Sequence, residues 1–352
     1  MKKVPVLLII SIVVLSFYSL TSLYVIGGMK YLPKQLAYIV AGLIFFFIIS
    51  SIDFRVFRFY AFPFYVVMLI LLILVFVVGV AINSSKRWIS VFGFFTIQPS
   101  EFVKIALILV LAWVFQRKDY EELGKFLFAT LFLIPVAAIV FAQPDMGTSL
   151  VFAFIYFLML AFSLSYKYWL TLVFVVIAAI PFLPNILKDY QMERILTFFD
   201  PYRDPLGSGY NVLQSITAVG SGKIFGKGIL NSNMTKLNFV PVQYADFIFS
   251  AVGEIWGFLG ASIVVICYAY ILYFSARAYS ITDNQFGKSI ALGVFAMFFF
   301  QIMINIGMCM GIMPVTGIPA PFLSFGGSAM IVNFIALGLV ASIYNYKDEI
   351  NL

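Results

Sequence analysis

Long apolar runs constrain the fold of this chain more than any other feature. Hydrophobic residues occupy 63% of its 352 positions and charged residues only 11%, whereas soluble domains are about 45–50% apolar and about 25% charged. A membrane-spanning helix needs about 20 mostly apolar residues. Ten runs meet or approach that length, at residues 5–25, 36–52, 61–82, 102–116, 127–142, 149–163, 168–184, 247–273, 289–309 and 328–345. The sequence predicts an all-α polytopic membrane protein with about ten transmembrane helices, and residues 1–352 forming one domain.

The distribution of lysine and arginine predicts how these helices are oriented, because cytoplasmic loops carry an excess of both residues. If the N-terminus is cytoplasmic, the short outer loops carry Lys30, Lys34, Lys86 and Arg87. The inner segments then carry the larger set Lys2, Lys3, Arg55, Arg58, Arg117, Lys118, Lys125, Lys167, Arg277, Lys288 and Lys347. An even number of spans puts both termini in the cytoplasm. Segment 186–245, between the seventh and eighth helices, becomes a large extracytoplasmic loop.

Asp246 is the first candidate for chemistry. The chain has no histidine, so acid–base catalysis would fall to Asp, Glu, Lys, Tyr or Cys. Asp246 lies where the polar segment 186–245 meets an apolar helix, and a carboxylate there is costly unless it is paired, hydrated or used. It could cap the helix or act as a general base, and these roles are compatible. An apolar setting would raise its pKa, which suits a base working near neutral pH.

Two other polar strings lie at the outer ends of predicted helices. In the first, residues 98–104, Glu101 and Lys104 are three residues apart and can pair. That pair either caps the helix or lines an outward-facing cavity. In the second, residues 143–148, Asp145 is either a helix N-cap or a functional carboxylate. Arg87, next to the interfacial Trp88, could bind phosphate.

Two glycine-rich stretches complete the set of motifs. Residues 220–228 do not fit the P-loop pattern. Their glycines would still let backbone amides approach an anionic ligand such as a diphosphate, beside Lys223 and Lys227, although a plain polar loop is the alternative. Residues 311–328 contain three prolines and four glycines between two spans. Non-helical backbone at membrane depth must line a cavity or pack on protein, so we predict a re-entrant cavity wall.

These strings, in order and along almost the whole chain, resemble the SEDS family, which comprises RodA, FtsW and SpoVE, and they are most similar to its RodA branch. The strings that carry the resemblance are 86–88, 98–104, 143–145, 204–210, 226–228, 246–249 and 314–328. The family commonly has Glu, His and Thr where this chain has Val242, Tyr244 and Ala245. The resemblance implies a peptidoglycan glycosyltransferase that polymerises lipid II, with inversion at the anomeric carbon, during cell-wall elongation and cell-shape maintenance.

The residues and the resemblance together predict a site. Asp246, Glu101 and Lys104 are the candidate catalytic residues, with Asp246 as general base. The candidate substrate-binding residues are Arg87, Gln98, Ser100, Asp145, Thr148, Arg194, Lys227, Ser324 and Ser328. A divalent cation, Mg²⁺ or Mn²⁺, could help to stabilise the leaving undecaprenyl diphosphate, but no ligand set is evident in the sequence.

The resemblance also implies partners and a location. The expected partners are lipid II, membrane lipids and a class B penicillin-binding protein within the rod (elongation) complex, with no role for nucleic acid. The partner's single helix could approach closely at Gly257 and Gly260, where small residues are three apart, unless the eighth helix is internal. The favoured alternative is that the partner's outer domain contacts segment 186–245. The expected location is the bacterial inner membrane, as a multi-pass protein with its active face extracytoplasmic.

Two other functions are compatible with intramembrane charge. A flippase or transporter of lipid-linked precursors would need charged residues that reach both membrane faces, whereas the polar motifs here gather on the predicted outer face. A non-catalytic scaffold for cell-wall enzymes would not need Asp246, Glu101 and Lys104 together.

Overall fold

The computed structural model describes residues 5–82, 85–91, 95–182, 185 and 187–347. Seven helices precede the long segment: α1 (Val6–Gly27), α2 (Leu32–Ser50), α3 (Phe57–Val78), α4 (Pro99–Phe115), α5 (Glu122–Ala142), α6 (Met146–Ser163) and α7 (Tyr166–Ala179). The long segment contains α8 (Asp189–Phe199), α9 (Tyr210–Ser221), α10 (Gly228–Asn231) and α11 (Asn233–Lys236). After it come α12 (Ile248–Ile281), α13 (Gln285–Cys309) and α14 (Gly327–Tyr346).

Helices α1–α7 and α12–α14 correspond one to one to the ten apolar runs of the sequence. This confirms the all-α polytopic class. Within the described residues, eight helices are long and apolar enough to cross a membrane. The other two are shorter: α4 has 17 residues, and α7 has 14 residues before a 3₁₀ turn at Ile180–Phe182. The count of ten spans, their orientation and the outer location of the long segment stay predictions.

Helix α4 lies at the centre of the bundle. It contacts α3, α5, α6, α13 and α14, and nearly all its side chains are buried. Helices α2 and α14 pack together, as do α1 and α12. By contrast, α7 buries none of its residues. The two charges near the start of α4, Glu101 and Lys104, are therefore carried into the protein interior.

A three-stranded antiparallel sheet joins α3 to α4, and the sequence did not predict it. Its strands are β1 (Val80–Ile82), β2 (Ser85–Val91) and β3 (Phe95–Ile97). The apolar run 61–82 predicts a single helix, whereas α3 ends at Val78 because Gly79 takes an extended conformation. Strands β1 and β3 have three residues each, which is too few for an alternating pattern to be recognised. The sheet places Arg87, on β2, against the turn between α5 and α6.

Helix α12 is broken at Gly257, whose φ is +65°. The chain's own segment 222–227 crosses this break. The amides of Phe258 and Leu259 donate to the carbonyls of Lys223 (2.8 Å) and Ile224 (3.1 Å). A Cβ on Gly226 would lie 2.2 Å from the carbonyl oxygen of Ile255, so the glycines allow backbone to pack on backbone. The chain itself therefore fills the gap at Gly257, so a partner's helix cannot approach there as predicted, and its approach at Gly260 stays a prediction.

Residues 311–326, between α13 and α14, are non-helical and pack on the bundle. The Tyr268 hydroxyl donates to the carbonyl of Pro321 (2.7 Å), and the Ser19 hydroxyl donates to the carbonyl of Leu323 (2.7 Å). Phe322 and Leu323 are buried. Two carbonyls of this segment are thus satisfied by side chains from α1 and α12, in keeping with the requirement that irregular backbone between two spans packs on protein.

Candidate functional site

Asp145 is the centre of a polar cluster formed by three elements. It caps α6, where its Oδ1 accepts a hydrogen bond from the amide of Thr148 (3.2 Å). Its Oδ2 accepts from the Gln98 amide group (3.3 Å), which also reaches the Ser100 hydroxyl (3.1 Å). The Ser328 hydroxyl accepts from the backbone amide of Gln98 (2.9 Å). Five predicted substrate-binding residues therefore lie together at the starts of α4, α6 and α14.

Arg87 connects this cluster to the turn between α5 and α6. Its Nε donates to the carbonyl of Gln143 (3.0 Å), and it also donates to the carbonyl of Pro144. Its Nη1 lies 3.6 Å from Oδ1 of Asp145. The Tyr190 hydroxyl, from α8, donates to the same Pro144 carbonyl (3.3 Å). Tyr190 was not predicted, and it ties the long segment to the Asp145 cluster.

Asp246 lies in the turn just before α12. Its side chain is half-buried, and no described residue donates a hydrogen bond to its carboxylate. Burial raises the pKa of Asp246 from its ordinary value of 3.8 to about 6. Among the nearby charges, Arg194 and Arg87 lower this pKa and Asp145 raises it. Asp246, Arg194, Arg87 and Asp145 thus share one electrostatic environment, and a carboxylate with this pKa is ionised but basic near neutral pH.

The main chain of Asp246 is held on two sides. The Asn305 amide group, from α13, donates to the carbonyl of Asp246 (2.8 Å) and to that of Ile318 (2.8 Å). The Ser324 hydroxyl donates to the carbonyl of Ala245 and accepts from the amide of Ala320 (2.8 Å). A Cβ on Gly317 would lie 3.5 Å from Asp246 Oδ2. Segment 311–326 therefore forms a wall beside the Asp246 carboxylate.

Two of these features could not be recognised in the sequence as parts of the site. Asn305 lies within an apolar helix and has no motif around it, so only contacts across the fold reveal its role. Gly317 belongs to a string that the sequence did single out, but its closeness to Asp246 is a tertiary property.

Glu101 and Lys104 form a buried ion pair, with Lys104 Nζ 2.7 Å from Glu101 Oε2. Both side chains are buried. Neither has another hydrogen-bond partner among the described residues. The pairing that the sequence predicted is present, whereas the choice between a capping pair and a cavity-lining pair stays open. A buried charge pair with a single hydrogen bond is costly to maintain, which favours a role beyond helix capping.

Lys227 lies elsewhere, in the region of the α12 break. Its Nζ donates to Oε1 of the fully buried Glu254 (3.1 Å). Glu254 also accepts from the amides of Met234 (3.1 Å) and Thr235 (2.8 Å) and from the Thr235 hydroxyl (2.7 Å). The glycines of 220–228 pack on α12, so this string carries the backbone contact described above. Lys227 as a substrate ligand stays a prediction.

The described residues contain no group of three or more His, Cys, Asp or Glu side chains that could hold a metal ion. Mg²⁺ can be held by one or two carboxylates together with substrate phosphates and water. Asp145 and Asp246 are the carboxylates of this site, and Asp145 is already engaged by Arg87, Gln98 and Thr148. These residues do not form a metal site by themselves.

Comparison with known proteins places this geometry in context. A family model described as a cell cycle protein, FTSW_RODA_SPOVE, matches residues 2–349. Peptidoglycan glycosyltransferase MrdB of Escherichia coli (strain K12) is 34% identical over 327 residues, which cover 91% of this chain and 87% of MrdB. Peptidoglycan glycosyltransferase RodA of Treponema pallidum is 32% identical over 384 residues, with 88% of each chain covered.

Solved structures agree with these relatives. A chain from a peptidoglycan synthase complex has a TM-score of 0.84 at 28% identity, and the match covers 97% of this chain and 98% of that one. RodA of Thermus thermophilus has a TM-score of 0.74 at 25% identity, with 97% of each chain covered. Fold and site therefore define a polytopic membrane protein in which a polar cluster around Asp145 shares an electrostatic environment with the half-buried Asp246. The chain belongs to the SEDS family of FtsW, RodA and SpoVE proteins.

Proposed function

We propose that this protein is a peptidoglycan glycosyltransferase that polymerises lipid II, with Asp246 as the general base. The observation that supports this most directly is the setting of Asp246. Its main chain is held by Asn305 and Ser324, while its carboxylate is free of protein donors among the described residues. A carboxylate so arranged can take a proton from a substrate hydroxyl at neutral pH.

The reaction follows from this arrangement. Asp246 removes the proton from the acceptor sugar hydroxyl, and that oxygen forms a bond to the anomeric carbon of the donor. The bond from this carbon to the diphosphate oxygen breaks, and the electron pair leaves with undecaprenyl diphosphate. The leaving group is already an anion, so it needs positive charge beside it more than it needs a proton.

Arg194 is best suited to stabilise the leaving diphosphate. The other candidate cations have anionic partners: Lys104 pairs with Glu101, Lys227 with Glu254 and Arg87 with Asp145. Arg194 stacks over the Tyr190 ring at 5.8 Å, and no carboxylate of the described residues lies within ion-pair distance of it. A guanidinium without an anionic partner, near Asp246, can bind phosphate oxygens.

The decisive experiment uses the purified protein in detergent or vesicles with labelled lipid II. A glycosyltransferase produces polymer on a gel, and Asp246→Asn does not. A flippase instead moves lipid II between leaflets and leaves it unpolymerised. Absence of polymer from well-folded wild-type protein, alone and with its cognate partner, would overturn the proposal.

We further propose that the protein works in the bacterial inner membrane, with its active face outward and a class B penicillin-binding protein as partner. The chain has no Ser-x-x-Lys penicillin-binding motif in a suitable outer domain, so crosslinking would need a second protein. One solved relative comes from a peptidoglycan synthase complex. The partner's outer domain would contact segment 186–245, beside Asp246. Saturating partner with its transpeptidase serine disabled should raise the polymerisation rate, and an unchanged rate would refute this coupling.

A further inference from the structure

A cavity of about 240 Å³ lies near the Asp246 site, and part of its wall comes from the string 311–328, which the sequence predicted to line a cavity. Its walls come from three elements: α8, the start of α9 with Ser208, and the strip 311–315. The strip continues directly into Thr316 and Gly317, next to the Asp246 carboxylate. Arg194 lines the cavity and also acts electrostatically on Asp246. The strip that lines the cavity therefore leads to the residue beside the Asp246 carboxylate, and Arg194 belongs both to the cavity lining and to the charged surroundings of Asp246.

The lining of this cavity suits an uncharged polar ligand. Tyr190, Thr197, Ser208 and Asn211 supply neutral hydrogen-bonding groups. Phe198, Val212, Met313, Pro314 and Val315 supply apolar surface. The charged side chains, Glu193 and Arg194, are of opposite sign, and once Arg194 faces the donor's diphosphate the rest of the lining carries no positive charge. A diphosphate needs an excess of positive charge, whereas a sugar needs hydroxyl and amide partners together with an apolar wall.

The side chain of Asn211 points to the same ligand class. It is half-buried and lines the cavity, yet no described residue makes a hydrogen bond with its amide group. Thr197 and Ser208, by contrast, bond to each other at 3.0 Å. An amide group both donates and accepts, and a polar group that is partly removed from water is better stabilised when it has a partner. A sugar hydroxyl or acetamido group could supply that partner.

The walls are held firmly enough to define a subsite. The Ser215 hydroxyl, on α9, donates to the carbonyl of Cys309 at the end of α13 (2.9 Å). A Cβ on Gly311 would lie 2.6 Å from the Ile216 side chain, so the strip 311–315 packs tightly on α9. On the other side, Tyr190 is bonded to the Pro144 carbonyl. The cavity is thus fixed between the Asp145 cluster and the Asp246 wall.

We propose that this cavity binds the acceptor sugar, the neutral hexopyranose ring whose hydroxyl is deprotonated by Asp246. This inference rests on the proposed function and names where one half of the substrate is bound. The donor's diphosphate would lie towards Arg194 and the Asp145 cluster, outside the neutral part of the cavity.

The test uses Asn211→Leu in the full-length protein, with Thr217→Leu as the matched control. Thr217 is exposed on α9 and its hydroxyl bonds only to its own helix, at the Leu213 carbonyl. Loss of one or two hydrogen bonds to a ligand weakens its binding about tenfold. We expect Asn211→Leu to raise the apparent KM for lipid II about tenfold, while kcat changes less and Thr217→Leu resembles the wild type.

Competition identifies which part of the substrate is affected. The free disaccharide of lipid II should inhibit the wild type and the control, and inhibit Asn211→Leu much less. Undecaprenyl diphosphate should inhibit all three equally. Equal inhibition of all three by the disaccharide would overturn the inference, as would loss of undecaprenyl diphosphate inhibition in Asn211→Leu. Either result leaves wild-type polymerisation intact, so it is distinguishable from failure of the proposed function, in which the wild type makes no polymer.

Discussion

Asp246 lies just before α12 and Glu254 lies about two turns into that helix, yet their carboxylates have opposite surroundings. Glu254 is fully buried and accepts hydrogen bonds from Lys227, Met234 and Thr235. Asp246 is half-buried, and its carboxylate accepts none from the described residues. Its backbone carbonyl is bonded instead. The Glu254 carboxylate, which accepts hydrogen bonds on both oxygens, stabilises the structure. Asp246 is fixed only through its backbone, so its carboxylate is available to a substrate.

The strongest test of this comparison is to neutralise Asp246. Asp246→Asn keeps the side-chain size and the backbone bonds to Asn305 but removes the base, so polymerisation should fall by about 10²-fold or more. The rate is measured with labelled lipid II on gels, with size-exclusion profile and thermal midpoint as controls for folding. Near-wild-type polymer from well-folded Asp246→Asn would show that Asp246 is not the base.

The next test concerns the backbone of Asp246. Asn305→Leu removes the donor shared by the carbonyls of Asp246 and Ile318, so the carboxylate should lose its fixed position and kcat should fall about tenfold. The apparent pKa of the pH–rate profile should shift as well, which general loss of stability would not cause. Gln301→Leu is the matched control, because Gln301 is also buried on α13 but has no hydrogen bond to this site. Equal effects of both substitutions would argue against a positioning role for Asn305.

The sequence alone marked Asp246 as a candidate functional residue, but it could not show how Glu254 is held. The boundary between a polar segment and an apolar run marked Asp246, and the spacing of Glu101 and Lys104 gave their ion pair. The helices could be predicted from the apolar runs because a membrane-spanning helix needs about 20 mostly apolar residues. The partners of Glu254 could not be predicted, since Lys227 and Thr235 meet it only through the fold of the long segment. The role of Asn305 and the cavity beside Asp246 depend in the same way on contacts between distant segments.

The third test substitutes Glu254. Glu254→Gln replaces one carboxylate oxygen with an NH₂ donor, which then faces either Lys227 Nζ and the Met234 amide or the amide and hydroxyl of Thr235. Unsatisfied buried groups of this kind cost about 1–3 kcal/mol each. We expect a lower thermal midpoint and faster proteolysis within residues 227–236, with more residual activity than Asp246→Asn retains below that midpoint. Asp283→Asn, at an exposed carboxylate, should change neither property. Complete inactivation of Glu254→Gln with an unchanged midpoint would assign Glu254 a chemical role and remove the contrast.

The smallest expected effect is a pH-dependent gain in stability on removal of the Asp246 charge. Burial raises the pKa of Asp246 to about 6 in the folded protein, against 3.8 for the ordinary carboxyl group. The folded state therefore binds more protons than the unfolded state between these two values, so the contribution of Asp246 to stability falls as pH rises from 3.8 to 6.

At pH 7.5 the ionised carboxylate is destabilising, and Asp246→Asn should raise the thermal midpoint. At pH 5, about midway between these two values, about half of that gain should disappear, because the folded side chain is then largely protonated while the unfolded one is still largely ionised. The polymerisation rate of the wild type should show the opposite trend, increasing from pH 5 to pH 7 as the base ionises. If Asp246→Asn raised the thermal midpoint equally at both pH values, burial would not raise the pKa of Asp246. That result would weaken the argument that its surroundings suit it to proton transfer.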